Sequence, residues 1–287
     1  MNEKRQQCKR QHYLSRYYIR NFARPMFSEN LLVFDGKKNR WETRTPKGLG
    51  WKPSFMTTTN IKGERTDEFD AFVTRTIEDP AAPVIKKLAV GEALSDAERI
   101  LAAWFMAITM ARNPHFMHET FTAYLGKLTE RESSEWAHIA ELWCEAIGRK
   151  FTSTTVSDLL REPGVAATIY WSISLRDRLL NWRWFSLRTE ESRPFILSDN
   201  PTYRQHPDND TYFISFPMST THAIYVTNAQ GKARSGDTTD EDVRQFNLQT
   251  MLFAREFVVA SCTSFPGSDQ LNNWRKKWFE SPTSANG

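Results

Sequence analysis

Residues 95–114 read SDAERILAAWFMAITMARNP, and the architecture is legible outward from them. Ser95 followed three positions later by Glu98 is a capping box, in which each side chain satisfies the other's backbone N–H at a helix start. Ile100 to Ala111 is then apolar apart from Thr109. Twelve helical residues reach roughly 18 Å, well short of a bilayer core of about 30 Å, so the stretch predicts a buried helix and no membrane span. Arg112 closes it. Asn113 suits a helix cap and Pro114 a first helical position, so a new helix is expected there.

More helix is predicted on either side. Thr66 caps a segment from Asp67 to about Glu78, which Pro80 and Pro83 break or restart. Further helices are expected from about Glu130 to Arg149 and from Gly164 to Asn181. Near the start, Leu14, Tyr18 and Phe22 recur every four residues, predicting a helix from Gln11 to Ala23 that Pro25 stops.

Strands flank this block. Leu31–Phe34 and Trp41–Arg44 bracket the turn residues Asp35–Asn39, and Phe55–Thr59 is a third candidate. Beyond residue 182, Arg183–Arg188, Phe195–Ser198, Tyr212–Phe216, Ala223–Thr227 and Glu256–Ser261 are short and apolar or alternating. A second capping box, Thr239 with Asp242, opens a helix to about Phe253. Strands, then helices, then strands predict an α+β fold: a central helical block packed on a mostly antiparallel sheet built from N-terminal and C-terminal strands. With no internal repeat and no low-complexity linker, a single domain over 10–265 is expected, with 1–9 and 266–287 as polar, flexible tails.

Composition bounds the function. Forty per cent hydrophobic residues and ten tryptophans supply a real core. A net charge of +4 is weaker than that of a dedicated DNA-binding module, but the first 24 residues carry Lys4, Arg5, Lys9, Arg10, Arg16, Arg20 and Arg24 against Glu3 alone. Cys8, Cys144 and Cys262 form no CxxC pair and imply no disulfide framework, which fits a reducing, cytoplasmic setting. The first residues lack the apolar core expected of a signal peptide. Glycine-rich nucleotide loops and the GxSxG and HExxH signatures are absent.

Six segments together resemble domain-of-unknown-function family 4238. They are Gln11–Phe22, Ile77-Glu78 with the alanine–proline stretch to Leu88, Met110–Pro114, Phe195–Pro201, Ser215–Ser219 and Asn247–Arg255. Each is short; in this order they are specific and span nearly the whole chain. The resemblance implies a domain boundary and a set of site residues, and supplies no reaction.

Four groups within these segments carry candidate chemistry. His12, Arg16 and Arg20 at spacings of four would share a helix face, joining a titratable imidazole to two permanent cations suited to phosphate or carboxylate. Their bland alternative is pairing with carboxylates. Arg112, at the end of a buried helix, needs an anionic partner or substrate, and with His118 it resembles the Arg–His spacing of HEPN ribonucleases. Ser198-Asp199-Asn200-Pro201 ends a strand, where Asp199 would orient His12, bind a metal, pair with an arginine or simply make a turn. Glu78 is expected to pair with Arg112 or Arg20, and no metal site is called.

The resulting expectation is an anion-binding site with His12 and Asp199 as catalytic groups, Arg16, Arg20, Arg112 and Asn200 as ligand-binding groups, and Glu78 and Ser198 in support. Its partner would be RNA or a small phosphorylated ligand, its activity that of a phosphodiesterase or ribonuclease of the defence or toxin type. The alternatives are a non-catalytic binding or sensing module and a purely structural network. Cofactor requirement is left unknown.

Overall fold

The computed structural model describes residues 10–25, 28–59, 65–116, 141, 163–201, 203–205, 212–229 and 235–280. The chain runs through β1 (Arg10–His12), α1 (Arg16–Arg20), β2 (Leu31–Asp35), β3 (Arg40–Arg44), β4 (Trp51–Pro53), β5 (Thr58–Thr59) and β6 (Arg65–Thr66). It continues through α2 (Glu68–Val73), α3 (Asp79–Ala89), α4 (Asp96–Ala111) and α5 (Pro163–Asn181). The last part holds β7 (Arg183–Arg188), β8 (Leu197–Ser198), β9 (Tyr203–Gln205), β10 (Phe213–Pro217), β11 (His222–Thr227), β12 (Gly236–Asp237), α6 (Asp240–Phe253), β13 (Phe257–Ala260) and α7 (Leu271–Arg275). The fold is α+β, and among the described residues every strand pair except β12 with β7 is antiparallel.

Contacts group the chain into two compact units. The first comprises Met1–Tyr13, Trp51–Ala81 and Ile100–Asp177; the second comprises Leu14–Gly50, Ala82–Arg99 and Arg178–Gly287.

In the first unit, β1 pairs with β4, setting His12 opposite Trp51, and β5 pairs with β6. The expected helix from Gln11 to Ala23 is therefore wrong at its start: residues 10–12 are extended, and only Arg16–Arg20 is helical. The apolar period of four was real, since Leu14, Tyr18 and Phe22 are all buried. What overrides it is Gln11, whose buried side-chain oxygen accepts the Met56 N–H and holds the strand against its neighbour. Packing of Phe69, Phe72 and Val73 from α2, Ile108 from α4, and Val165 and Ile169 from α5 makes the core of this unit.

Between α2 and α3 the backbone widens into a π turn at Thr74–Glu78. Pro80 and Pro83 do not interrupt the chain as expected; α3 runs from Asp79 to Ala89 with Pro83 inside it. The residue four before Pro83 is Asp79, the first residue of α3 at the junction with the widened turn, so the bond that Pro83 cannot donate is missing only from the first turn. The π turn also changes which side chains face inward, and Ile77 and Glu78 are both buried.

In the second unit, a four-stranded sheet in the order β3-β2-β13-β8 joins strands from both ends of the chain. This is the expected antiparallel sheet of N-terminal and C-terminal strands, and β12-β7-β11-β10-β9 form a further five-stranded sheet drawn from the later part of the chain. Phe34 of β2, Val258 of β13, Met251 of α6 and Trp274 of α7 share one core. Gly50 has a positive φ of 61°, and a Cβ there would lie 2.8 Å from Leu14 Cβ, so this corner admits only glycine where the Gly50 carbonyl accepts the Leu14 N–H.

Residues 268–280, expected within a polar, flexible tail over 266–287, carry secondary structure. Ser268–Gln270 forms a 3₁₀ turn, α7 follows, and Lys276–Glu280 is a second π turn. Leu271 and Trp274 are buried, and the Trp274 indole N–H donates to the Ala254 carbonyl at 3.0 Å. Two apolar anchors in a polar segment leave almost no periodic signal, yet each contributes about 1.5–3 kcal/mol on burial. The expected helix from Glu130 to Arg149, and residues 1–9 and 281–287, lie outside the described residues.

Candidate functional site

Arg112 follows the last turn of α4 and is only 1% exposed. A buried guanidinium demands a counter-charge, and the π turn supplies it: Glu78 Oε1 pairs with Arg112 Nη2 inside the first unit. Arg112 Nε donates to the Tyr13 carbonyl at 3.1 Å. Of the two partners expected for Glu78, the structure selects Arg112. Nearby Asp70 is also mostly withdrawn from water. Burial pushes its carboxyl up to about 6, with Glu78 and Asp67 adding to the shift and Arg112 opposing it. The ensemble holds charge inside the protein, and Arg112 is sealed from solvent in this arrangement.

Asp199 is fully buried in the second unit, beside buried Ser198 and Asn200. Its Oδ1 accepts the backbone N–H groups of Arg255, Glu256 and Phe257 at 2.9, 3.0 and 3.3 Å. Its own N–H donates to the Phe257 carbonyl, and Ser198 Oγ accepts the Asn200 N–H at 3.3 Å. The Ser-Asp-Asn-Pro corner therefore anchors the start of β13. A carboxylate gathering three backbone donors is fixed in position by them, and here it serves the fold.

Arg16 and Arg20 sit one turn apart on α1. Arg16 is exposed; Arg20 has 35% of its side chain exposed and pairs with Glu29, itself 59% exposed. His12 is half-buried on β1 in the other unit, so the expected three-residue helix face reduces to its two arginines. His118 lies outside the described residues. His222 is half-buried on β11, and burial with the Arg188 charge lowers its pKa. Among the described residues, no group of three His, Cys, Asp or Glu side chains is arranged to hold a metal ion.

The structure pairs the family-like segments with one another, which sequence reasoning missed. Tyr18 hydroxyl donates to the Pro217 carbonyl at 2.5 Å and Asn21 Nδ2 to the Met218 carbonyl at 3.0 Å, joining Gln11–Phe22 to Ser215–Ser219. Glu78 with Arg112 joins the second segment to the third. Asn247 Oδ1 accepts the Ile196 N–H, its Nδ2 donates to the Pro194 carbonyl, and Asp199 accepts from Arg255, so the fourth segment meets the sixth. The available signal was composition: buried-type Tyr, Asn and Asp beside apolar residues, each needing a partner.

These features define a class: an α+β protein whose recognisable segments form three buried polar clamps. Its residues 10–264 match the family described as protein of unknown function (DUF4238), and the chain belongs to that family. No curated protein and no solved structure matches it.

Proposed function

We propose that this protein is a binding module for an anionic ligand, a phosphorylated small molecule or single-stranded RNA, held by Arg16 and Arg20. The observation that carries the reading is the position of these two guanidinium groups one turn apart on α1, within reach of solvent. Glu29 competes for Arg20, but an exposed pair of this kind is worth only about 0–1 kcal/mol, so an incoming phosphate displaces it at little cost. Arginine then offers paired N–H donors matched to phosphate oxygens. The engagement of Arg112 with Glu78 and of Asp199 with three backbone amides favours binding over catalysis, because those groups are taken up inside the protein while Arg16 and Arg20 reach solvent. A cytosolic setting accords with Cys262, a free thiol.

Fluorescence anisotropy with a short labelled RNA, repeated from low to high salt, tests this. Two phosphate contacts on a single strand give a slope of about −1.4 in log K against log salt. Arg16→Ala/Arg20→Ala should flatten it and weaken binding while leaving the melting temperature unchanged. Inorganic phosphate as competitor separates a phosphate site from one that requires RNA. A double variant that binds RNA and phosphate as well as the parent protein refutes the proposal. Cleavage of the RNA during the same experiment, lost in His12→Ala, would replace it with the phosphodiesterase reading.

A further inference from the structure

The five-stranded sheet offers a site that does not depend on the arginines of α1. Side chains alternate across a sheet, so the register fixes which of them share a face. Phe185 of β7 lies opposite Tyr225 of β11, and Tyr225 lies opposite Ser215 of β10. Phe213, two positions before Ser215, shares their face, as does Arg183, two before Phe185. Toward the other end of this face, Ala223 and Leu187 pack with Phe195, Val243 and Phe246. Toward the Arg183 end the rings meet one another instead. Phe213 stacks on Tyr225 at 5.4 Å and 30°, and Phe185 meets Tyr225 at 6.4 Å. Phe213 and Tyr225 are only half-buried.

Two further observations point to a ligand. Ser215 is 1% exposed, and its hydroxyl, on the same face as the rings, has no hydrogen-bond partner among the described residues. A buried hydroxyl left in that state costs free energy, which the polar edge of a ligand recovers. The charge on this face is positive. Arg183 is exposed with its guanidinium 5.1 Å from the Phe185 ring, and among the described residues no carboxylate alternates onto the face. At the same end of the sheet, just before β7 and β10, Trp182 stacks on Tyr212 at 5.6 Å, and the exposed Arg178 lies 5.8 Å over the Tyr212 ring.

We propose that this face binds single-stranded nucleic acid, its bases stacked on Phe213 and Tyr225 and Ser215 Oγ bonding a base edge. Every base has a flat π face, so aromatic rings on neighbouring strands form a platform that accepts successive bases with little regard to sequence. The rings supply the affinity, and the positive rim favours a polyanion over a neutral planar molecule.

Fluorescence anisotropy with a labelled oligothymidylate of about six nucleotides tests this against an abasic oligomer of the same length and charge. The parent protein should bind the oligothymidylate about tenfold more tightly, a factor within the range that one stacked base supplies. Phe213→Leu should lose about that factor for the oligothymidylate and nothing for the abasic oligomer. Ser215→Ala should weaken only the oligothymidylate, by a few-fold, with the melting temperature unchanged. The two sites fail separately, because Arg16→Ala/Arg20→Ala acts on both oligomers alike and leaves their ratio as it was. Equal binding of the two oligomers by the parent protein overturns the proposal, whatever the variants do. So does a preference for the oligothymidylate that survives undiminished in both Phe213→Leu and Ser215→Ala.

Discussion

Replacing Arg112 by Met removes one partner of a buried ion pair and leaves its volume nearly filled. Glu78, 9% exposed, is then left with no guanidinium beside it, and the Tyr13 carbonyl loses the donor at 3.1 Å. Breaking a buried pair from one side costs about 3–5 kcal/mol, of which the lost carbonyl bond accounts for about 1 kcal/mol. Against a typical domain stability of about 5–15 kcal/mol, Arg112→Met should lower the urea midpoint sharply. Glu78→Gln should do the same, because it strands the cation. In Arg112→Met/Glu78→Gln neither charge remains, and the double variant should recover about 1–3 kcal/mol relative to the sum of the single losses. Urea unfolding at pH 7, followed by far-ultraviolet circular dichroism, measures all four corners of the cycle. A loss below about 1 kcal/mol for Arg112→Met, or strict additivity in the double variant, would show that the pair does not hold this unit together.

Asp70 should make the protein less stable as pH rises. Its folded pKa of about 6 lies above the ordinary 3.8, so the folded state holds the proton more tightly than the unfolded state. Stability falls between roughly pH 4 and pH 6 and is flat above, by about 1–2 kcal/mol after allowing for partial exposure; Asp70→Asn should remove the slope in melts across that window. Asp199→Ala leaves the amides of Arg255, Glu256 and Phe257 without their shared acceptor and should cost about 2–4 kcal/mol in urea unfolding, whereas a loss under about 1 kcal/mol would free Asp199 for another role. Thr239→Ala removes one half of the capping box on α6 and should cost about 1 kcal/mol in the same assay. Tyr18→Phe, which deletes only the hydroxyl bonded to Pro217, should cost about as much.

Local rules worked where the responsible residues are neighbours in the chain. The Ser95/Glu98 and Thr239/Asp242 boxes are both formed, with reciprocal bonds to the backbone. Asn113 Oδ1 accepts the N–H groups of His115 and Phe116, as a cap before Pro114 should. The hairpin β2–β3 and the strand Arg183–Arg188 stand where turn residues and alternation placed them. The same rules failed where a distant group competed. The apolar period from Leu14 to Phe22 says nothing of the Met56 amide that holds Gln11 in a strand, and two prolines do not announce the π turn that precedes α3.

The sequence by itself determined the α+β class, most helix starts and which residues seek the interior, because capping, periodicity and hydrophobicity act over a few residues. It also singled out Arg112, Glu78 and Asp199 as groups in need of partners. Which partner each took was decided by tertiary structure alone. Arg112 met Glu78 across 34 positions, Asp199 met the amides beginning at Arg255 across 56, and Tyr18 met Pro217 across 199. A buried charge or hydroxyl must be satisfied, but that requirement names no address in the chain; only the packing of the elements brings one donor and one acceptor within 3 Å of each other.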